Sequence, residues 1–275
     1  MRLASSFRNP TMIRQNRPLT DEEIARYAPS IFATEAHESR SERYTYIPTG
    51  EVLAGLRKEG FEPFMACQTR VRNADKRDFT KHMMRLRHVS RIDQDETNEI
   101  ILLNSHDGTS SYQMIPGRFR FVCANGMVCG ESFGEVRVRH SGDVISQVIE
   151  GAFEVLDQFE VIDQERETMK EIILRPHEQT ALAQAALAYR YDQAPHTPIT
   201  PEQVLSPRRW DDRGSDLWTT FNRVQENLIK GGLHGRNAKG RPARTRAVTG
   251  IDQDVKLNRA LWVLADALRG TSAAA

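Results

Sequence analysis

Two short apolar runs, Ile100 to Leu103 and Phe119 to Cys123, stand close together in the middle of the chain. Between them lies a knot of small polar residues, Asn104 to Ser111. Apolar runs of this length, bounded by turn formers, read as the central strands of a sheet. Phe61 to Val71 and Lys81 to Val89 read as strands before them. Ser111 to Met114 reads as extended, and Glu135 to Arg139 alternates as one more short strand. Arg72 to Thr80 is a charged loop, Arg91 to Asn98 an acidic turn, and Asn125-Gly126 a tight-turn pair. Ahead of the strands, Val52, Leu53 and Leu56 mark a helix that begins at Thr49-Gly50-Glu51 and stops at Gly60. Thr20 with Glu23 forms a capping-box pattern, so a short helix starts there and ends by Ala28-Pro29.

Beyond Gly134 the period changes to three and four. Val144, Ile145, Val148, Ile149, Ala152, Phe153, Leu156 and Phe159 recur at helical spacing, and the pattern runs on to Ile173. It predicts one long amphipathic helix opening at Ser141-Gly142-Asp143, with an acidic outer face over 150–171. Helices follow over 178–190, around 217–228 and around 253–268, after a proline-bearing linker at 194–201. The fold class expected is α+β: an antiparallel sheet core backed by a long amphipathic helix, with a helical C-terminal region. Residues 1–43 read as an N-terminal arm, 44–175 as the core domain and 176–275 as the helical region.

Composition narrows the function. The 275 residues carry a net charge of only +1, so a nucleic-acid reading must rest on local segregation of charge. Cys67, Cys123 and Cys129 show no CxxC spacing, and an odd count argues against a disulfide framework. They read as reduced thiols in a cytoplasm. No apolar run approaches the ~20 residues of a membrane helix, and the N-terminus has no signal-peptide core. The expected location is cytoplasmic, away from membranes.

Positive charge collects in two places. Around the strands at 64–89, Arg70, Arg72, Lys76, Arg77, Lys81, Arg85, Arg87 and Arg91 face only Asp75 and Asp78. Alternation puts Lys81, Arg85 and Arg87 on one strand face and His82, Met84, Leu86 and His88 on the other. Arg118 and Arg120 alternate with Phe119 and Phe121 in the same way. A sheet could therefore bury Met84, Leu86, Phe119 and Phe121 against the long helix and show its arginines outward; the competing reading is an ordinary solvated sheet face. The second place is Lys230 to Arg246, with Lys230, Arg236, Lys239, Arg241, Arg244 and Arg246 and no acid. Its glycines predict a flexible segment. Contact with phosphates, docking on the acidic helix of another subunit, and a plain solvated loop all fit it.

No catalytic constellation emerges. His106-Asp107 supplies half a site at most, with no HExxH spacing to complete it, and the surrounding small polar residues suit a turn. Presentation of backbone N–H groups to a phosphate is a further reading of that loop. There is no phosphate-binding GxxxxGK[ST] loop, and Cys123 has no base beside it. No metal, nucleotide or other cofactor is expected.

The segments LLNSHDGTSSYQMIPGRFRFVCANGMVCG, VQENLIKGGLHGR and GIDQDVKLNRALW resemble the domain-of-unknown-function family 932, over roughly Thr45 to Leu268. That resemblance implies origin in a phage or plasmid and assigns no activity. The order helix, antiparallel strands, long helix is also similar to the core of phage single-strand annealing proteins of the Red-beta and RecT kind, which implies a groove for single-stranded DNA in an oligomeric ring or filament. The expected function is a mobile-element protein, not an enzyme, that binds single-stranded DNA without sequence specificity and takes part in strand-annealing recombination. Arg70, Arg72, Lys81, Arg85, Arg87, Arg118 and Arg120 would line the groove, and the six cations of 230–246 would add backbone contacts. A protein-binding anti-defence or anti-restriction module is the second reading, and a metal-dependent nuclease the third.

Overall fold

The computed structural model describes residues 11–40, 44, 46–91, 96–120, 125–129, 136–137 and 144–272. Its elements are, in order, β1 (Met12–Arg14), α1 (Asp21–Tyr27), α2 (Thr49–Lys58), β2 (Phe61–Gln68), β3 (His82–His88), β4 (Glu96–Asn104), β5 (Gln113–Arg120), β6 (Asn125–Val128) and β7 (Val136–Arg137). Then come α3 (Val144–Asp157), α4 (Phe159–Glu171), α5 (Pro176–Arg190), α6 (Pro201–Leu205), α7 (Leu217–Lys230), β8 (His234–Arg236), β9 (Pro242–Arg244) and α8 (Ile251–Ser272). The fold is α+β with an antiparallel sheet. It divides into two compact units, one within Met1–Phe119 and Gly134–Asp157, the other within Arg120–Phe133 and Gln158–Ala275.

In the first unit the strands lie side by side in chain order from β1 to β5, and β7 pairs with β5. The N-terminal segment contributes to this sheet: Met12, Ile13 and Arg14 pair with Cys67, Ala66 and Met65. Thr20 caps α1 as its sequence predicts, accepting from the Glu23 N–H at 3.3 Å while the Glu23 carboxylate accepts from the Thr20 N–H at 3.0 Å. Gly60 ends α2 at φ +85°, where any Cβ is strained. Strand register assigns the faces. Met84 lies opposite Leu102, Leu86 opposite Ile100 and His82 opposite Asn104, so these six share one face. That face meets α2, because Thr49 Oγ1 contacts His82 Nε2 at 3.1 Å and accepts from Asn104 Nδ2 at 2.9 Å.

Four local expectations change. Strand β4 begins at Glu96, inside what reads as an acidic turn, because Asn98 and Glu99 are buried and take partners from neighbouring strands. Asn125-Gly126 lies in β6 instead of a turn, and the Gly126 carbonyl accepts from Gln225 of α7 at 3.4 Å. A tertiary hydrogen bond outweighs a two-residue turn propensity. The long helix divides at Gln158 into α3 and α4, although Gln158 keeps helical angles (φ −71°, ψ −17°); we have no physical account of that break. The fourth change, at 230–246, is described with the site. Phe121, Cys123, Ser141 to Asp143 and most of 135–139 lie outside the described residues.

In the second unit α7 is the central helix, packed by α4, α5, α6 and α8. Asp216 caps it by accepting from the Thr219 N–H at 2.8 Å. Trp218 stacks on Phe221 at 5.6 Å, and both meet the edge of Trp262 from α8 at 6.4 and 6.0 Å. Each of these rings contributes roughly 1.5–3 kcal/mol by leaving water. Leu217, Val224 and Leu228 of α7 are buried as well, and so are its polar residues Thr220, Asn222, Arg223, Gln225, Glu226 and Asn227. Each of these polar side chains has a specific partner within the unit, although Asn222 Oδ1 and Arg223 Nε have none.

Candidate nucleic-acid interface

Three of the cations expected to line a groove lie in the interior. Arg85, Arg87 and Arg118 are each 1% exposed. Glu99 accepts from Arg85 Nη1 at 3.2 Å and from Arg87 Nε at 2.8 Å. The Arg87 guanidinium lies over Phe64 at 4.2 Å and Phe119 at 4.4 Å. Phe119 is therefore on the arginine face, opposite to the reading from alternation. On the other face Arg118 donates to Glu96 at 3.1 Å and to Asn98 at 2.8 Å. The expectation of an outward arginine face is thus corrected. Alternation tells which side chains share a face and not whether that face is covered; here both faces are covered, and each arginine brings its acid with it. Burial pulls the Arg87 pKa down from its ordinary value, and the Glu99 charge opposes that pull.

The remaining cations fall into two groups. Arg70 and Arg72 are exposed just past β2, and Arg70 Nε donates to Thr11 Oγ1 at 3.3 Å. Lys81 is half-buried at the start of β3. Arg120 is largely buried and donates to Asp212 at 2.7 Å. Of these four, Arg70 and Arg72 alone stand open to solvent.

The other group does converge. Segment 230–246, expected to be flexible, is an ordered hairpin. His234 pairs with Arg244 and Arg236 with Pro242, so His234, Arg236 and Arg244 share its outer face. That face is exposed, whereas Leu233, Gly235, Ala243 and Thr245 are half-buried. The inner side rests on Pro198, whose carbonyl accepts from the Arg236 N–H at 2.9 Å. A Cβ on Gly235 would stand 1.9 Å from the same oxygen, so only glycine permits this approach. Asn237 Oδ1 closes the tip by accepting from the N–H groups of Lys239 and Arg241 at 3.0 and 3.1 Å. Lys239 and Arg241 thus stand at the tip, and Arg246 is exposed just beyond β9. Arg236 and Arg244 donate to the carbonyls of Gly240 (2.8 Å) and Gly232 (3.3 Å). Among the described residues none of Arg236, Lys239, Arg241, Arg244 and Arg246 forms an ion pair. The next carboxylate along the chain is Asp252.

The root of the hairpin is held by a chain of ion pairs. Lys230 donates to Glu226 at 2.9 Å, Glu226 also pairs with Arg209, and Arg209 reaches Asp212 at 2.8 Å. Burial pushes the Glu226 carboxyl up, but the hydrogen bonds and charges of Arg209 and Lys230 carry it below the ordinary carboxylate range. Arg208 donates to Asn227 Oδ1 and to the Gly231 carbonyl, both at 2.7 Å. Lys230 is therefore a structural cation, unlike the five beyond it. Of the aromatics outside the apolar runs that the sequence offers for base stacking, Phe79, Tyr112 and Trp210, Tyr112 is fully buried and Trp210 is exposed; Arg208 and Arg209 before it carry no periodic signal.

The SHDG segment is a turn, with Asp107 Oδ1 accepting from the Thr109 N–H at 3.0 Å and its hydroxyl at 2.6 Å. His106, however, points inward and is 0% exposed. Its ring lies 5.1 Å from that of His82 and 5.0 Å from that of Tyr46, and neither of its nitrogens has a hydrogen-bond partner. Among the described residues no group of three His, Cys, Asp or Glu could hold a metal. Burial lowers the His82 pKa to about 3, with the His106 charge adding to it, and burial lowers that of His106 to about 4. Both rings are neutral in the fold, whereas the unfolded chain takes up protons from about pH 6.5. The stability this neutrality confers is complete above that pH and is lost as pH falls toward the folded values. Between pH 6.5 and 5 the unfolding free energy should drop by about 3 kcal/mol from these two groups. Urea titrations across that window test it; a flat profile would place the rings in water.

The chain belongs to the family described as Domain of unknown function (DUF932), which matches residues 36–262. It is 63% identical over 267 residues to the UPF0380 protein YafZ of Escherichia coli (strain K12), covering 97% of either chain. The UPF0380 protein YfjQ of the same strain matches with the same identity and coverage. No solved structure matches. No helix among the described residues is long and apolar enough to cross a membrane.

Proposed function

We propose that this protein binds single-stranded DNA through its phosphate backbone, without sequence preference, and that the β8–β9 hairpin is the contact. The observation that carries the reading is the set of five exposed cations on an ordered hairpin, none of them paired with a carboxylate among the described residues. Protein carboxylates normally neutralise clustered arginines at little gain in free energy. Cations held apart from carboxylates can instead exchange condensed counterions for phosphates. Order matters too, because a preformed hairpin does not lose backbone freedom on binding. Arg70 and Arg72 supply further exposed charge in the first unit. A role in strand annealing follows the resemblance in element order and adds no residue to the site.

Fluorescence anisotropy of a labelled single-stranded oligonucleotide, at low salt and without magnesium, tests the reading. Binding should be saturable and indifferent to base sequence. Absence of binding at low salt would contradict it, as would binding confined to one sequence.

A further inference from the structure

Trp210 is 75% exposed, the most open of the large apolar side chains in the described structure. A tryptophan left in water forgoes a large hydrophobic gain, and such side chains concentrate where a partner covers them. This one is also held in place. It opens a short 3-10 turn, Trp210–Arg213, and both residues before it are fastened to the C-terminal end of α7. Arg209 pairs with Glu226, and Arg208 donates to Asn227 and to the Gly231 carbonyl. Gly231 adjoins Gly232, whose carbonyl accepts from Arg244 of the hairpin. Trp210 therefore follows directly on two residues whose side chains hold the root of the hairpin, within one small unit. The Arg213 guanidinium lies over the ring at 4.0 Å from its centroid. One face of the indole thus carries a cation, and its high overall exposure leaves area for a second flat group.

We propose that Trp210, backed by Arg213, is a stacking platform for an unpaired nucleobase of a strand whose phosphates lie on the hairpin. This rests on the phosphate-binding reading and deepens it by saying why the strand must be single. A base in a duplex has its faces occupied, whereas an unpaired base offers a π surface to any aromatic ring, whatever its identity. The guanidinium on one side polarises the ring and sits where a neighbouring phosphate would pass. The apolar face and the hairpin charge thus address the two chemical halves of one strand, its bases and its phosphates.

Intrinsic fluorescence isolates this residue. Trp218 and Trp262 are 3% and 0% exposed, so stacking reaches Trp210 alone. Titration of wild-type protein with oligothymidylate should quench part of the emission, and Trp210→Phe should lose that quench. Trp210→Ala should weaken binding of the oligothymidylate about tenfold while Trp210→Phe keeps most of the affinity. An abasic oligomer of the same length should bind wild type and Trp210→Ala equally. Substitution of a side chain this exposed leaves the fold intact, which circular dichroism checks. Equal quenching in wild type and Trp210→Phe would overturn the stacking proposal, and so would undiminished affinity in Trp210→Ala. Salt-dependent binding with either of those results would leave the hairpin reading standing. No binding of any oligomer would end both.

Discussion

Glu99→Ala should cost about 3–5 kcal/mol of stability. Glu99 is 1% exposed and accepts from both Arg85 and Arg87, so the change withdraws a carboxylate shared by two buried guanidiniums. The charge left behind has no water to replace it, and the cavity adds to the loss. Since domains of this size are stable by roughly 5–15 kcal/mol, the change removes a large share of the total stability. Glu99→Gln keeps shape and one acceptor and should fall between the two. Replacing Arg85, Arg87 and Glu99 together by apolar residues of similar volume should be far milder than Glu99→Ala, because the ions are costly to bury and valuable mainly to one another. Urea unfolding of the three variants measures all of this. A Glu99→Ala loss under 1 kcal/mol would mean that the arginine face is open to solvent.

Replacing Arg236, Lys239, Arg241, Arg244 and Arg246 by glutamine should lower affinity for single-stranded DNA by more than a hundredfold at low salt. Every cation that meets a phosphate adds a share of counterion release, which for single strands is about 0.7 of a unit of salt slope, and neutral glutamine adds none. Folding should survive, because all five side chains are exposed and the hairpin is held instead by Gly235, Asn237 and Pro198. Substituting Lys230 alone should act differently. Its ammonium is bound to Glu226, so its loss should reach stability before it reaches DNA.

Much of the fold was legible because it is local. Thr20 with Glu23, Gly60 at positive φ, and the apolar spacing of α2 and α7 each specify a helix or its end within a few residues. The site was less legible, for reasons of two kinds. The cations at 85, 87 and 118 read as a surface because their partners Glu96 and Asn98 sit in a stretch that looks like an acidic turn, and Glu99 directly follows it. Nothing within one strand reveals that both faces of a sheet are covered. The cations at 236–246 were found by composition, but their order was not. Glycine at 231, 232, 235 and 240 suggested freedom, whereas Gly235 serves a contact with Pro198 nearly forty residues away in sequence. The alternation of exposed His234, Arg236 and Arg244 with half-buried Leu233, Gly235, Ala243 and Thr245 is a strand signal in that segment. Turn chemistry accounts for SHDG, yet the inward course of His106 depends on Tyr46 and His82, which no local pattern connects to it.

The central claim is that five hairpin cations meet phosphates, and the salt dependence of binding tests it most directly. Affinity for one single-stranded oligonucleotide should be measured from low to moderate salt for wild type and for the five-glutamine variant. The logarithm of the wild-type binding constant should fall linearly with the logarithm of salt, with a slope of about −3 if most of the five cations each engage one phosphate. The variant should show a much shallower slope, with only what cations outside the hairpin contribute. Equal slopes for the two proteins would contradict the account.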